Sequence, residues 1–267
     1  MIRADVHMHC NFSNDSESRP EDMIESAIRK GLSVICFTDH YDKDNFDWGD
    51  EAIFDVESYV KVMPALREKY KDQIDVRMGA EIGFLPYLGR YYEKFTGTYP
   101  FDFVIGSAHS VLNEDVATRN LYRDRTDREG YRIYFEELLE DVQKIKSYDV
   151  LGHIDYMVRY SHQGVESYRP AEYMEIIDEI LKTVIRDGRG IELNMSGIKY
   201  GLGYAHPHPE ILKRYRELGG EILTVGADGH IPEHIAYDFH LADEILTDAG
   251  FRYYTVFRER EAEFVKI

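Results

Sequence analysis

Seven short apolar runs, each closing on a histidine or on Asp, Glu or Asn, constrain this chain more than any other feature. They are Arg3–His9, Leu32–His40, Asp75–Glu81, Phe101–His109, Asp149–Asp155, Gly190–Asn194 and Glu221–Asp228. Runs that are β-branched or otherwise apolar over a few residues suit strands covered on both faces. Between them lie amphipathic stretches: Pro20–Lys30, Val56–Tyr70, Arg128–Ser147, Pro170–Asp187, Pro207–Leu218 and Pro232–Ala249. Pro20, Pro170, Pro207 and Pro232 sit where the first helical turn tolerates proline, and Gly31, Gly188 and Gly219 sit where a left-handed residue ends a helix. Asp42–Asp55 and the tyrosine-rich Leu112–Asp127 read as loops. Strand–helix alternation of this length predicts an α/β fold with a parallel sheet and right-handed crossovers. No repeat, linker or break in composition divides it, so a single domain over 1–267 is the simplest organisation.

An open doubly wound sheet and a closed barrel both satisfy the alternation, and the run ends choose between them. They read His7-Met8-His9, Thr38-Asp39-His40, Gly79-Ala80-Glu81, Ser107-Ala108-His109, Gly152-His153-Ile154-Asp155, Asn194 and Ala227-Asp228-Gly229-His230. Six of the eleven histidines therefore stand at strand C-termini. That rim is where a parallel barrel gathers its active site, whereas the outer strand ends of an open sheet lie too far apart to converge. His7 and His9, two apart on a strand, project to one face, and Asp228 and His230 repeat the spacing on the last run. A single histidine is more often a hydrogen-bonded core or loop residue than a ligand. Six of them with Glu81 and Asp228 would be costly to gather without a metal. Imidazole and carboxylate ligands without thiolate point to Zn, Mn or Fe.

Charge narrows the partners. The 50 acidic and 32 basic side chains leave a net charge of −18, which repels polyphosphate and makes nucleic acid an unsuitable partner. No apolar run approaches the ~20 residues that a bilayer crossing needs, so no membrane partner is expected. The start, Met1 to Asp5, reads as a strand entry rather than a signal peptide. Cys10 and Cys36 are the only thiols, too few for a disulfide framework. A cytoplasmic protein is the expectation; its oligomeric state is not written in the sequence.

These residues resemble the polymerase-and-histidinol-phosphatase (PHP) superfamily. The matching pieces are Asp5-Val6-His7-Met8-His9, Asp15, Thr38-Asp39-His40, Glu81, Gly106-Ser107-Ala108-His109, Gly152-His153-Ile154-Asp155 and Ala227-Asp228-Gly229-His230, in family order along nearly the whole chain. Asn194-Met195-Ser196-Gly197, His206-Pro207 and Glu233-His234-Ile235-Ala236-Tyr237-Asp238 look most like the stand-alone histidinol-phosphate phosphatase branch. The resemblance implies a distorted (β/α)7 TIM-like barrel with a trinuclear divalent metal centre. His7, His9, Glu81 and Asp228 would hold the first metal. Glu81 would bridge to a second, completed by His109 and His153, and Asp15, His40 and His230 would hold the third. Asp15 stands where some relatives have His, which leaves metal preference at that site open, and Gly229 where many have Ala.

Three divalent ions outweigh the three carboxylates, so a small phosphate monoester is the natural guest despite the acidic surface. The expected reaction is hydrolysis of L-histidinol phosphate in histidine biosynthesis, through a hydroxide shared by the first two metals, with Asp228 as a candidate proton donor. Arg159 and Lys199 are the candidate phosphate contacts. Asp5, Asp39 and Asp155 are candidates to orient the ligating imidazoles. His206 and His208 read as a loop lip and helix start. Alternatives are another small phosphate monoester, protein phosphotyrosine, an amidohydrolase reaction, or a metal-stabilised scaffold.

Overall fold

A computed structural model describes residues 2–267; Met1, the first residue of the strand-entry reading, lies outside the described residues. Seven parallel strands follow one another in chain order: β1 (Ala4–Met8), β2 (Val34–Phe37), β3 (Asp75–Gly83), β4 (Phe103–Ser107), β5 (Val150–Leu151), β6 (Gly190–Asn194) and β7 (Leu223–Gly226). Each pairs with its successor, as in Ala4 opposite Val34, Gly79 opposite Phe103 and Leu223 opposite Ile191. The seam between β7 and β1 is looser. The Asp228 N–H donates to the His7 carbonyl at 2.8 Å and the His9 N–H to the Gly229 carbonyl at 2.9 Å. Below them the Asp5 carboxylate replaces the ladder, accepting from the Ala227 and Ala236 N–H groups at 3.0 and 2.8 Å. The result is a nearly closed, distorted barrel of the TIM type.

Helices surround it: α1 (Pro20–Arg29), α2 (Val56–Tyr70), α3 (Gly89–Thr98), α4 (Asp127–Lys144), α5 (Met174–Arg186), α6 (Ser196–Lys199), α7 (Pro209–Glu217) and α8 (Phe239–Asp248). Their starts follow local chemistry. Asp55 caps α2 by accepting from the Glu57 and Ser58 N–H groups, and Thr126 and Glu129 cap α4 reciprocally. On α5, Ile177, Ile180, Leu181 and Val184 recur at helical spacing and are buried against the barrel core.

Several expected elements are altered. The run at Asp149–Asp155 yields only a two-residue strand, because the chain leaves the ladder at Gly152 and turns His153 into the rim. Pro170–Glu172 and Pro232–His234 form separate 3₁₀ turns rather than the first turns of α5 and α8. Pro207 follows a cis peptide outside α7, which begins at Pro209.

Helix α3 and a C-terminal hairpin, β8 (Tyr253–Arg258) with β9 (Glu261–Lys266), were not expected. The hairpin closes the barrel end opposite the rim. Its tip, Glu259 and Arg260, has φ of 50° and 68°, as a two-residue primed turn requires. From there the Arg260 N–H donates to the Asp102 carbonyl at 2.9 Å, and Phe257 stacks on Phe103 with ring centres 5.1 Å apart. Among the described residues no helix is long and apolar enough to cross a membrane.

Candidate metal centre

The rim gathers nine side chains from six segments. His7 and His9 extend from β1, and Asp15 lies in the loop that follows. His40 pairs beside Glu81 of β3, His109 and His153 follow β4 and β5, and Asp228 and His230 follow β7. At the centre His7 Nε2 lies 3.1 Å from His9 Nε2 and 3.2 Å from Glu81 Oε2. His9 Nε2 is 3.5 Å from both Glu81 Oε2 and Asp228 Oδ1. The other Glu81 oxygen stands 2.9 Å from His153 Nε2 and 3.3 Å from His109 Nε2. Asp15 Oδ2 lies 2.9 Å from His230 Nε2 and 3.5 Å from His40 Nε2. Four ligands around one ion at ~2.0–2.1 Å stand roughly 3.3 Å apart, the scale of the first set of separations.

Where the protons sit makes the fit to metal specific. His7 donates from Nδ1 to Glu192 at 2.6 Å, and His109 from Nδ1 to Asp42 at 2.7 Å. His230 donates from Nδ1 to the Asp228 carbonyl at 3.2 Å. Ser13 gives its hydroxyl proton to Asp39 at 2.9 Å, so its oxygen accepts from His9 Nδ1 at 3.2 Å. A neutral imidazole that donates from Nδ1, the form that binds a metal, keeps a lone pair on Nε2. Four lone pairs thus face Glu81 and Asp228 in the buried centre and Asp15 at its exposed edge. The clusters are capable of chelating divalent ions, and the donor chemistry fits a polynuclear centre.

The electrostatics record the same demand. Burial opposes charge on His7, yet Glu192, Glu81 and Asp228 hold its pKa well above the ordinary value. Burial likewise opposes charge on His40, but Asp15 and Glu81 carry it to about 9. Burial, together with His230 and His40, pushes His9 well below its ordinary value. Burial would raise Glu81 and Asp228, but the imidazoles around them bring both well below the carboxylate range.

The orienting contacts fall mostly to residues not expected from the sequence: Glu192 for His7, Asp42 for His109 and Ser13 for His9. Asp5 is occupied at the barrel seam by backbone N–H groups. Asp39 reaches His9 only through Ser13, and Asp155 holds His206, at 2.5 Å. Glu192 carried a visible signal, being a carboxylate on the same strand face as Asn194 within a buried run. Gly226 makes room for this arrangement, since a Cβ there would stand 2.3 Å from the His7 Cβ and 2.7 Å from Glu192.

Arg159 lines a cleft of about 210 Å³ with Glu81, His109, His153, Asp228 and His230. Its guanidinium lies between the rings of Tyr156 and Tyr200, at 5.0 and 4.5 Å. Nη2 donates to Ser196 and stands 3.6 Å from Asp228 Oδ2. Lys199 sits behind Asp228, donating to its carbonyl at 2.7 Å. Asp228 itself has φ of 53°, a left-handed conformation that Asp tolerates better than most residues. A second cleft of about 360 Å³ adjoins the first through Asp15, His40, His109, Tyr156 and Tyr160, and adds Asp42, Asn45, Trp48 and Asp115.

Known proteins share this arrangement of fold and sequence. A histidinol-phosphatase of Lactococcus lactis subsp. lactis is 31% identical over 255 residues, covering 94% of this chain and 93% of that protein. A probable histidinol-phosphatase of Clostridium acetobutylicum is 32% identical over 250 residues, covering 93% and 94%. The crystal structure of histidinol phosphate phosphatase from Lactococcus lactis subsp. lactis, complexed with zinc, L-histidinol and phosphate, superposes with a TM-score of 0.87 at 30% identity and 98% coverage of each chain. The PHP domain profile matches residues 5–196, the segment that supplies Glu192 and all of the nine rim side chains except Asp228 and His230. Barrel, rim and likeness agree, and the chain belongs to the PHP domain family.

Proposed function

We propose that this chain is a cytoplasmic, metal-dependent phosphomonoesterase that hydrolyses L-histidinol phosphate to L-histidinol and phosphate, and that residues 1–267 act as a single PHP-type barrel domain. The observation that carries the reading is the likeness, at TM-score 0.87 over 98% of both chains, to a phosphatase holding zinc, L-histidinol and phosphate. His7, His9, Glu81 and Asp228 would hold one ion. Glu81, His109 and His153 would hold a second, and Asp15, His40 and His230 a third. Zn, Mn or Fe bound there supplies Lewis acidity toward phosphoryl oxygens and makes hydroxide available near neutral pH.

The chain's own residues do the rest. Arg159, rigid between two tyrosines, meets the phosphate and orients it, and Lys199 adds positive charge from behind Asp228. Asp228, whose carboxylate stands at the cleft beside Arg159, is the residue placed to pass a proton to the departing alkoxide. The adjoining acidic cleft, with Asp42, Asp115 and Trp48, suits a cationic, partly aromatic alcohol such as L-histidinol. A product that is a cation and a dianion thus finds opposite charge in two connected clefts.

The test is kcat/KM for phosphate release from L-histidinol phosphate by Mn- or Zn-loaded protein, beside a panel of phosphate monoesters that includes phosphotyrosyl peptides. A value above ~10⁴ M⁻¹s⁻¹ and well ahead of the panel is expected. Equal turnover of the whole panel would overturn the substrate, and no turnover by protein shown to carry metal would overturn the reaction.

A further inference from the structure

Behind Arg159 lies a buried pair, Asp155 and His206, whose side chains make no hydrogen bond to a candidate metal donor. His206 and Asp155 are wholly buried. Asp155 Oδ1 accepts from His206 Nδ1 at 2.5 Å, and Arg159 Nε donates to His206 Nε2 at 3.0 Å. Asp155 Oδ2 accepts from the His208 N–H at 2.8 Å. We propose that Asp155 and His206 are positioning residues that lock one imidazole tautomer and thereby set the angle at which Arg159 meets the phosphate. This deepens the phosphatase reading and rests on it.

The directions of the hydrogen bonds carry the argument. A guanidinium can only donate, so Nε2 of His206 must be an acceptor and the ring must be neutral with its proton on Nδ1. A carboxylate at Nδ1 selects that tautomer. Burial, with Arg159 nearby, lowers the His206 pKa, and Asp155 opposes the shift without reversing it. With Nε fixed by His206 and Nη2 by Ser196, one edge of the guanidinium is immobilised. Nη1 has no protein partner among the described residues, which leaves its hydrogens for the substrate. The tyrosines above and below fix the plane but not rotation within it; His206 supplies that missing restraint.

Asp155→Asn tests the lock with almost no change of shape. The His208 N–H needs an oxygen, so the new amide keeps its oxygen there and turns its NH₂ toward His206. Nδ1 must then accept, the ring proton moves to Nε2, and that proton opposes the Arg159 N–H. Nitrogen-15 spectra of the metal-loaded protein should show the His206 proton shift from Nδ1 to Nε2. The inhibition constant of inorganic phosphate should rise, and kcat/KM should fall, about 10- to 100-fold, with metal content and melting temperature nearly unchanged.

In an Arg159→Met background the same change should cost nothing further. His206→Gln, which can donate to Asp155 and accept from Arg159, should keep most of the activity, whereas His206→Leu should not; this pair decides the matter if Asp155→Asn fails to fold. An unmoved tautomer, or losses that add fully to those of Arg159→Met, would overturn the proposal alone. Unchanged phosphate inhibition in Arg159→Met would remove the phosphate contact itself and the proposal with it. Wild-type protein that binds phosphate but spares L-histidinol phosphate would overturn the substrate reading and leave the lock testable by phosphate inhibition on whichever ester it cleaves.

Discussion

At the hairpin-capped end of the barrel, Asp102 and Asp149 each meet a guanidinium and a backbone N–H. Arg67 and the Met78 N–H satisfy Asp102, while Arg260 and the Val104 N–H satisfy Asp149. At the rim, Glu81 and Asp15 face chiefly imidazoles, whose protons mostly point outward. Asp102, Asp149 and Glu81 are buried, and a buried carboxylate is costly to desolvate unless paired, whereas Asp15 stands at the open edge of the rim. One end completes the pairing with the chain's own arginines. The other leaves it for a cation from outside, and the difference separates a structural ion pair from a binding site more clearly than burial does.

Glu81 gives the largest expected break in this contrast. Glu81→Gln should lower kcat/KM by at least about 10³-fold and reduce bound metal, read by steady-state kinetics and elemental analysis. Chelation of the wild type should lower the melting temperature, and added Mn or Zn should restore it. At the other end, Arg260→Met removes the nearer of two arginines from Asp149, leaving Arg189 at 3.8 Å and the Val104 N–H, and should cost about 1–2 kcal/mol by denaturant unfolding. Metal should not rescue that loss, and folded protein should keep its kcat; rescue by metal would collapse the distinction between the two ends.

A third kind of buried carboxylate sharpens the comparison. Asp141 of α4 has an unpartnered Oδ1, and burial, with Glu137 and Glu140 nearby, pushes its pKa up to about 8. It holds a proton in the fold that it would release when unfolded above pH ~4, so its stabilising contribution is complete below that pH and is lost as pH rises toward 8. Asp141→Asn should therefore stabilise by about 1–2 kcal/mol at pH 8 and by far less at pH 4, measured by urea melts at both. The smallest effect belongs to the exposed Lys182–Glu179 pair, at 2.8 Å, where Lys182→Ala should change stability by less than ~0.5 kcal/mol.

What the sequence disclosed follows from where information is local. Strand β6 and helix α2 match their expected bounds, because apolar runs and caps are written in adjacent residues. The rim is legible because parallel strands deliver their C-termini to one place, so the spacing in His7-Met8-His9 already implies a shared face. The hairpin was hidden because its turn uses Glu259 and Arg260 with positive φ, where Asn-Gly would have announced it. Helix α3 begins at a glycine and carries Tyr91, Tyr92 and Phe95, a composition that does not declare a helix. Asp42 and His206 depend on contacts with His109 and Asp155, 67 and 51 residues away in sequence, which no local pattern encodes.

The seam between β1 and β7 has a consequence in time. His7 leaves the ribosome before Glu192 and Asp228, which complete its surroundings; Glu192 alone lies 185 residues further along the chain. Until then β1 offers two histidines on an open strand edge, exposed to any free ion or neighbouring strand. Closing the barrel and finishing the rim are one event, so a nascent chain halted before β7 would carry most of the ligands and none of the enclosure.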